Sequence, residues 1–360
     1  MKLISEETFF QTATQSEDFD RVFADLRFLE IEVNDLKFED TVINNCEFTR
    51  TTFRSCDFKR CIFIECIFDN CNFEKSDFTE SSFSDSQLQN CSFLNTKLIT
   101  TDIIKSTFID CDFAYAYIDN VSFLQSSFSH IDFCYAVLIR AKLLNNSYVS
   151  LDFSNAAIQD SMIVDFDVLN LNVTQAKLQS VMFQHAALSN VDWSASSMIS
   201  CHFHNSKIFH NDFSYQDFSH SGFVNTHVLG CVFNFCSAQS MFTSSSSFEL
   251  CQFERTSMSG AVFAGAKILT SNFSQADLRT TIFRDVNGEH IDFSDCNLSY
   301  ADFSNAKLSH CKFARASVEL MNGQDMLQTH NDWQGVKISA MKPTNESLTK
   351  ASKFSAGANI

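Results

Sequence analysis

CDFKRCIFIECIFDNCNFEKSDF, residues 56–78, places a cysteine or serine two positions before every phenylalanine and repeats the arrangement every fifth residue. A helix returns to one face about every 3.6 residues and a strand every second one, so neither regular element has this period. A backbone that turns a corner once per pentad does. Two side chains of each pentad then point inward and three outward, and four corners close a square. Twenty-residue coils can stack at the parallel-strand spacing of about 4.8 Å, each coil satisfying the backbone donors and acceptors of the next.

The large apolar residue at positions ending in 3 or 8 is the centre of each pentad. The small residue two before it, ending in 1 or 6, is its inner neighbour. Centres run without a slip from Phe23 and Phe28 to Phe313 and Val318, sixty consecutive pentads, and thirty-two of the 40 phenylalanines fall on them. Only Ala238, Thr243 and Gly288 are too small or polar for the slot. Inner neighbours are mostly Cys, Ser, Thr or Ala, as close packing beside a ring demands, with Leu26, Ile31, Leu36 and Phe166 too large.

Composition agrees with a repeating core: 40 Phe stand against eight Gly, one Pro and two Trp. The net charge of -17 disfavours direct binding to nucleic acid or an anionic membrane and favours a basic partner. The opening MKLISEETFFQTATQ does not read as a secretory signal, and no apolar run is long enough to span a bilayer. The expected location is the cytoplasm, or a host cell reached by export without a cleaved signal peptide.

Ala301–Asn305 (ADFSN), Ala276–Thr280 (ADLRT) and Cys56–Arg60 (CDFKR) resemble the pentapeptide-repeat family. The resemblance covers residues 41–318 closely and 23–40 loosely, and implies an all-β fold, a right-handed quadrilateral β-helix. About 15 coils would then give a solenoid roughly 70 Å long. The expected organisation is an N-terminal cap or export segment over 1–22, carrying a short helix, and the β-helix over 23–318. A C-terminal cap follows over 319–342, with a helix near ELMNGQDMLQ and Trp333 folded over the last coil, and then a polar tail over 343–360.

Thirteen of the 14 cysteines, all but Cys134, occupy inner slots, which reads as use of Cys as a small hydrophobe. His130, His210, His290 and His310 differ by multiples of 20 and share one edge; without a carboxylate pattern they read as solvated corners. Phosphate-binding, zinc-protease and nucleophile-elbow motifs are missing, and a phenylalanine-filled interior leaves no substrate cavity. The expectation is a non-enzyme with no catalytic residue, cofactor or metal.

Surface columns carry the remaining signal. Asp112, Asp132, Asp152, Asp192 and Asp212 precede centres on one face, where Asp either bonds the turn or concentrates negative field. Ile104, Leu124, Leu144 and Val164 follow their centres on four successive coils and form an apolar ladder expected to face water. Tyr115 with Tyr135, and Tyr215 with Phe235, form an aromatic column at pentad ends. Such patches mark contacts with a protein partner or a second copy in a homodimer. Two readings follow. One is a non-enzymatic protein-interaction rod, similar to pentapeptide-repeat effectors that bacteria deliver by type III secretion. The other, also implied by the resemblance, is a DNA mimic that binds DNA gyrase or topoisomerase IV.

Overall fold

The computed structural model describes residues 1–4 and 21–345. They belong to two compact units, Met1–Ala187 and Leu188–Ile360. Each is a quadrilateral β-helix, all-β and built from parallel ladders with a register of 20 residues.

In the first unit, one ladder runs through Leu26–Leu29, Glu47–Thr49, Ile67–Asp69, Gln87–Gln89, Thr107–Ile109 and Ser127–Ser129. A second runs through Thr41–Asn44, Ile62–Ile64, Ser82–Ser84, Asp102–Ile104, Ser122–Leu124, Lys142–Leu144 and Met162–Val164. A third joins Lys97–Ile99, Tyr117–Asp119, Val137–Ile139, Ala157–Gln159 and Lys177–Gln179. The fourth face is narrower, held by single bridges such as Ser92 to Asp112 and Asp112 to Asp132.

Centres meet their counterparts one coil away. Phe48 stacks on Phe68 at 4.9 Å and Phe63 on Phe83 at 4.5 Å, while neighbouring faces meet edge-on, as Phe58 does Phe73 at 74°. Offset stacking along the axis with edge-to-face contact across it suits the ring quadrupole in both directions.

Each regular corner is made by the last residue of a pentad in the left-handed region, with φ between +47° and +72° from Asp25 to His330, and almost none of these residues is glycine. Such a conformation is uncommon for a residue with a Cβ. It is held because the corner N–H donates into the adjacent coil, as Arg60 N–H does to the Thr79 carbonyl at 2.9 Å.

Two kinds of corner follow. In a tight corner the next inner N–H donates to the carbonyl of the preceding centre, as Ala116 does to Phe113 at 3.0 Å, which with the left-handed third residue makes a type II turn. In an open corner that bond is missing, and a side chain from the next coil replaces it. Cys56 N–H donates to Ser76 Oγ at 3.0 Å, and Ser76 Oγ donates to the Phe53 carbonyl at 2.6 Å. Cysteine does the second half of this work: Cys66 and Cys71 Sγ donate to the Ile43 and Phe48 carbonyls at 3.2 and 3.3 Å. The inner slot therefore favours small donors for a polar reason as well as a steric one.

At two positions the corner disappears. Ser147–Asp152 and Val168–Asn172 run through Ser150 and Asn170 as continuous paired strands. The cause lies inside: Phe166 fills an inner slot and packs edge-on against Tyr148 at 4.9 Å, and Leu169 is pushed out to 78% exposure.

The long strand ladder of the second unit is Lys207–Phe209, His227–Leu229, Ser247–Glu249, Lys267–Leu269, Asn287–Glu289, Lys307–Ser309 and Leu327–Thr329, and on another face His202–His204 pairs with Gly222–Val224. From residue 231 its other three faces close with tight corners. Its odd centres are compensated. A Cβ on Gly288 would lie 2.6 Å from Ile291 and 2.7 Å from Leu308, so the large inner neighbour Ile291 occupies the room that the missing centre leaves.

Both ends differ from expectation. Lys2–Ile4 forms a strand paired with Leu26–Phe28, not part of a helix, and residues 5–20 lie outside those described. Residues 319–328 are not helical either: Leu327–Thr329 pairs with Lys307–Ser309, and the square path continues for another coil that ends in a single 3-10 turn, Ile338–Ala340. Backbone bonding to the coil beneath overrides helix propensity there, as Asn322 N–H to the Ala301 carbonyl at 2.8 Å illustrates. Trp333 stacks on Phe313 at 4.0 Å and 2°, taking the centre slot of that last coil.

Candidate functional site

The Asp column of the first unit stands on its tight-cornered face. Asp112, Asp132 and Asp152 each accept, through Oδ1, the backbone N–H of the residue two further on, Ala114, Cys134 and Ser154, all at 2.7 Å. In the second unit Asp192 and Asp212 do the same with Ser194 and Ser214 at 2.9 Å. These are Asx turns that brace the corner, so every predicted aspartate has a folding role. The second oxygen remains outside that bond. Among the described residues none of the five pairs with a lysine or arginine.

Stacking leaves its mark on their acidity. Burial pushes the Asp132 carboxyl above its ordinary value, the charges of Asp112 and Asp152 add to the rise, and the Cys134 N–H opposes it. Asp192 is held below the usual range, chiefly by the Ser194 hydroxyl and then by that residue's N–H.

The aromatic pairs emerge as expected, at left-handed corners. Tyr115 and Tyr135 stack at 4.9 Å and 6°, and are 53% and 48% exposed. Tyr215 and Phe235 stack at 5.3 Å and 5°, 70% and 42% exposed. The Arg255 guanidinium lies over Phe235, 5.6 Å from the ring centroid. That cation–π contact was not anticipated, although Arg255 stands 20 residues after Phe235. In each unit the aromatic residue ends a pentad whose second residue is the aspartate: Asp112 and Asp132 with Tyr115 and Tyr135, Asp212 with Tyr215.

The apolar ladder stands in register along one sheet, Ile104, Leu124, Leu144 and Val164 pairing coil to coil, and each is partly exposed.

Thirteen cysteines are buried and Cys134 is partly exposed. Burial pushes the Cys61 and Cys66 thiols up to about 12, far from thiolate reactivity. The histidine edge is richer than its spacing showed: His290 stacks on His310 at 4.9 Å, His310 on His330 at 5.1 Å, and Glu289 lies beside them. His330 keeps the 20-residue spacing but lies beyond the last regular pentad. Among the described residues no helix is long and apolar enough to cross a membrane.

Sequence profiles described as "Pentapeptide repeats (8 copies)" match residues 35–70, 56–93 and 66–104, and one described as "Pentapeptide repeat region" matches 246–322. No curated protein sequence matches the chain. Among solved structures, HetL, a pentapeptide repeat protein involved in heterocyst differentiation regulation from the cyanobacterium Nostoc sp. strain PCC 7120, is 13% identical, with 85% of this chain and 96% of that one covered and a TM-score of 0.27. QnrB1, a plasmid-mediated fluoroquinolone resistance protein, is 14% identical over 64% of this chain and 96% of its own, with a TM-score of 0.24. A mannuronic acid specific polysaccharide family 6 lyase from human gut microbiota is 9% identical over 99% and 95%, with a TM-score of 0.30. The five-residue register, the corners that realise it and the profiles that match it place residues 35–104 and 246–322 of this chain in the pentapeptide-repeat family.

Proposed function

We propose that this chain is a non-enzymatic interaction protein that takes a basic segment of a protein partner across the first unit's Asp112–Asp132–Asp152 column and the Tyr115–Tyr135 stack. The observation that supports this most is the contrast between the two aromatic stacks: the Tyr215–Phe235 stack carries Arg255 over its ring, whereas among the described residues no such cation contact is seen at Tyr115–Tyr135. An arginine or lysine of a partner would supply there what Arg255 supplies in the second unit. The carboxylates of this column, which among the described residues meet no lysine or arginine, and the net charge of -17 would steer it in. The interior supports a non-catalytic reading, since the void lined by Phe38, Phe48, Phe58 and Phe68 measures about 10 Å³, the size of a single water.

The test is capture from bacterial and eukaryotic lysates with the intact chain, repeated with Tyr115→Ala/Tyr135→Ala and with Asp112→Asn/Asp132→Asn/Asp152→Asn. A partner lost with both variants, and released by salt, supports the reading; one that ignores both sinks it. Recovery of gyrase or topoisomerase IV, with loss of any effect on supercoiling in the triple variant, would identify charge mimicry of DNA. Recovery of a host protein would identify an exported role.

A further inference from the structure

The histidine corner of the second unit forms a cluster that the interaction reading does not use. Glu289 Oε1 lies 3.6 Å from His290 Nε2, and one donor atom each of Glu289, His290 and His310 lies within 4.8 Å of the others. The coil spacing brings this about. Gly288 pairs with Leu308 in the strand ladder, so the corners that follow are stacked in register, with φ of 54° at His290 and 55° at His310. Each corner is pinned by its backbone: His290 N–H donates to the Ser309 carbonyl at 3.0 Å and His310 N–H to the Thr329 carbonyl at 2.9 Å. Rings stacked at 4.9 Å and 23° place two imidazoles face to face at the surface.

We propose that Glu289, His290 and His310 bind one borderline divalent transition-metal ion, of the zinc class, with water completing the shell. Two neutral imidazoles and one carboxylate are a ligand set that zinc accepts, and three protein ligands leave a fourth position open. Bonds of about 2.0–2.1 Å to a tetrahedral ion bring the donors to roughly 3.4 Å from one another. All three side chains are exposed, so rotation about their own bonds closes the gap while the backbone stays in place. The set also has low competition from within the chain: among the described residues Glu289 pairs with no lysine or arginine. Stacked histidines repel once both are protonated, whereas a metal takes them neutral, so the ion and the proton compete for one column.

His330 supplies an internal control. It stacks on His310, but it stands two coil spacings, roughly 10 Å, from His290, too far to share an ion held between the first two rings. Its own pair with His310 has Ser309 and Thr329 where the first pair has Glu289, and therefore no carboxylate.

The experiment is calorimetric titration of the intact chain with zinc chloride at about pH 7.5 and about pH 5.5, on either side of the ordinary histidine pKa. Cobalt(II) substitution is followed by absorbance. One equivalent should bind at the higher pH and be lost at the lower. His290→Ala and His310→Ala should abolish it, Glu289→Gln should weaken it, and His330→Ala should leave it intact. Cobalt should show ligand-field bands without a thiolate charge-transfer band. No saturable binding, binding unchanged in His310→Ala, loss in His330→Ala, or a thiolate band would each overturn the assignment. Far-ultraviolet circular dichroism of the four variants checks that these exposed substitutions leave the fold alone.

Discussion

The coils from residue 61 to 140 and those from 231 to 330 share one period but close their corners differently. Open corners and strands occupy most of the first set's faces; the second confines its strand ladder to one face and turns tightly on the other three. Part of the difference follows from one residue per pentad. Asp or Asn before the centre accepts the N–H two residues on at many tight corners, as at Asp112, Asp277 and Asp302, although Asp102 and Asn287 in the same slot stand in strands. Stacking supplies the rest. Val262 and Ile282 carry no such acceptor, yet Ala266 and Val286 N–H still donate to the Phe263 and Phe283 carbonyls at 2.9 and 3.3 Å. A tight corner can therefore be inherited from the coils on either side. A tight corner satisfies the next inner N–H locally, so alanine serves there at Ala116, Ala136, Ala156 and Ala176, although Thr256 and Cys296 in such slots still donate to the Phe233 and Phe273 carbonyls.

The largest effect should be the same in both sets. Phe73→Ala and Phe273→Ala should each cost about 3–5 kcal/mol in denaturant melts, since each ring lies between stacked neighbours. A clear gap between the two would show that corner type governs how far a coil collapses around a cavity. The sets should part at the inner slot. Asn146 accepts from Ser126 N–H at 2.8 Å and donates to the Phe123 carbonyl at 2.9 Å, so Asn146→Ala should cost about 1–3 kcal/mol by stranding both groups. Ala-to-Ser at position 276, after a tight corner, should gain nothing of that size.

Overpacking offers a test confined to the second set. Gly288→Leu should destabilise by about 1–3 kcal/mol, and adding Ile291→Ala should recover part of that loss in a double-mutant cycle; strict additivity would mean that the two do not share the space. A smaller effect separates turn from charge. Asp132→Ala should cost about 0.5–1.5 kcal/mol for the lost Asx bond, whereas Asp132→Asn keeps an acceptor and should stay near neutral. The smallest is a matter of order. Asp132 should titrate above Asp192 when both carboxyls are followed by NMR. The sign follows: the raised Asp132 favours its protonated form, so its contribution is present below the unfolded pKa and lost as pH rises through the folded one. The lowered Asp192 contributes above the unfolded pKa and loses that contribution as pH falls through its folded value.

Period, centres and inner slots were legible because each is a constraint on size, and size is written in single letters. Corner type was not, because an open corner is completed by a residue 20 positions away, as Ser76 completes Cys56. The last coil was hidden for a similar reason. Gly323 and Gln328 stand at its centre slots, so hydrophobic pattern ends at Val318 while backbone pairing goes on; only Trp333 and His330, still in step, betray it. The aromatic pairs could be placed from spacing alone. Arg255 and Glu289 could not, since their roles depend on side-chain direction across coils.

That last coil has a meaning that crystal growers would recognise. A stack of identical layers is a one-dimensional lattice, and each finished layer is a template for the next. Here the final layer is a poisoned step. Gly323 and Gln328 offer no ring to dock on, and Lys342 N–H and Asn345 N–H bond back to the Met321 carbonyl and Gln324 Oε1 at 3.0 and 2.7 Å, capping sites where an incoming strand would attach. Growth of the lattice stops by chemistry at its surface, and the same repeat that would build a fibre is kept to a finite number of layers.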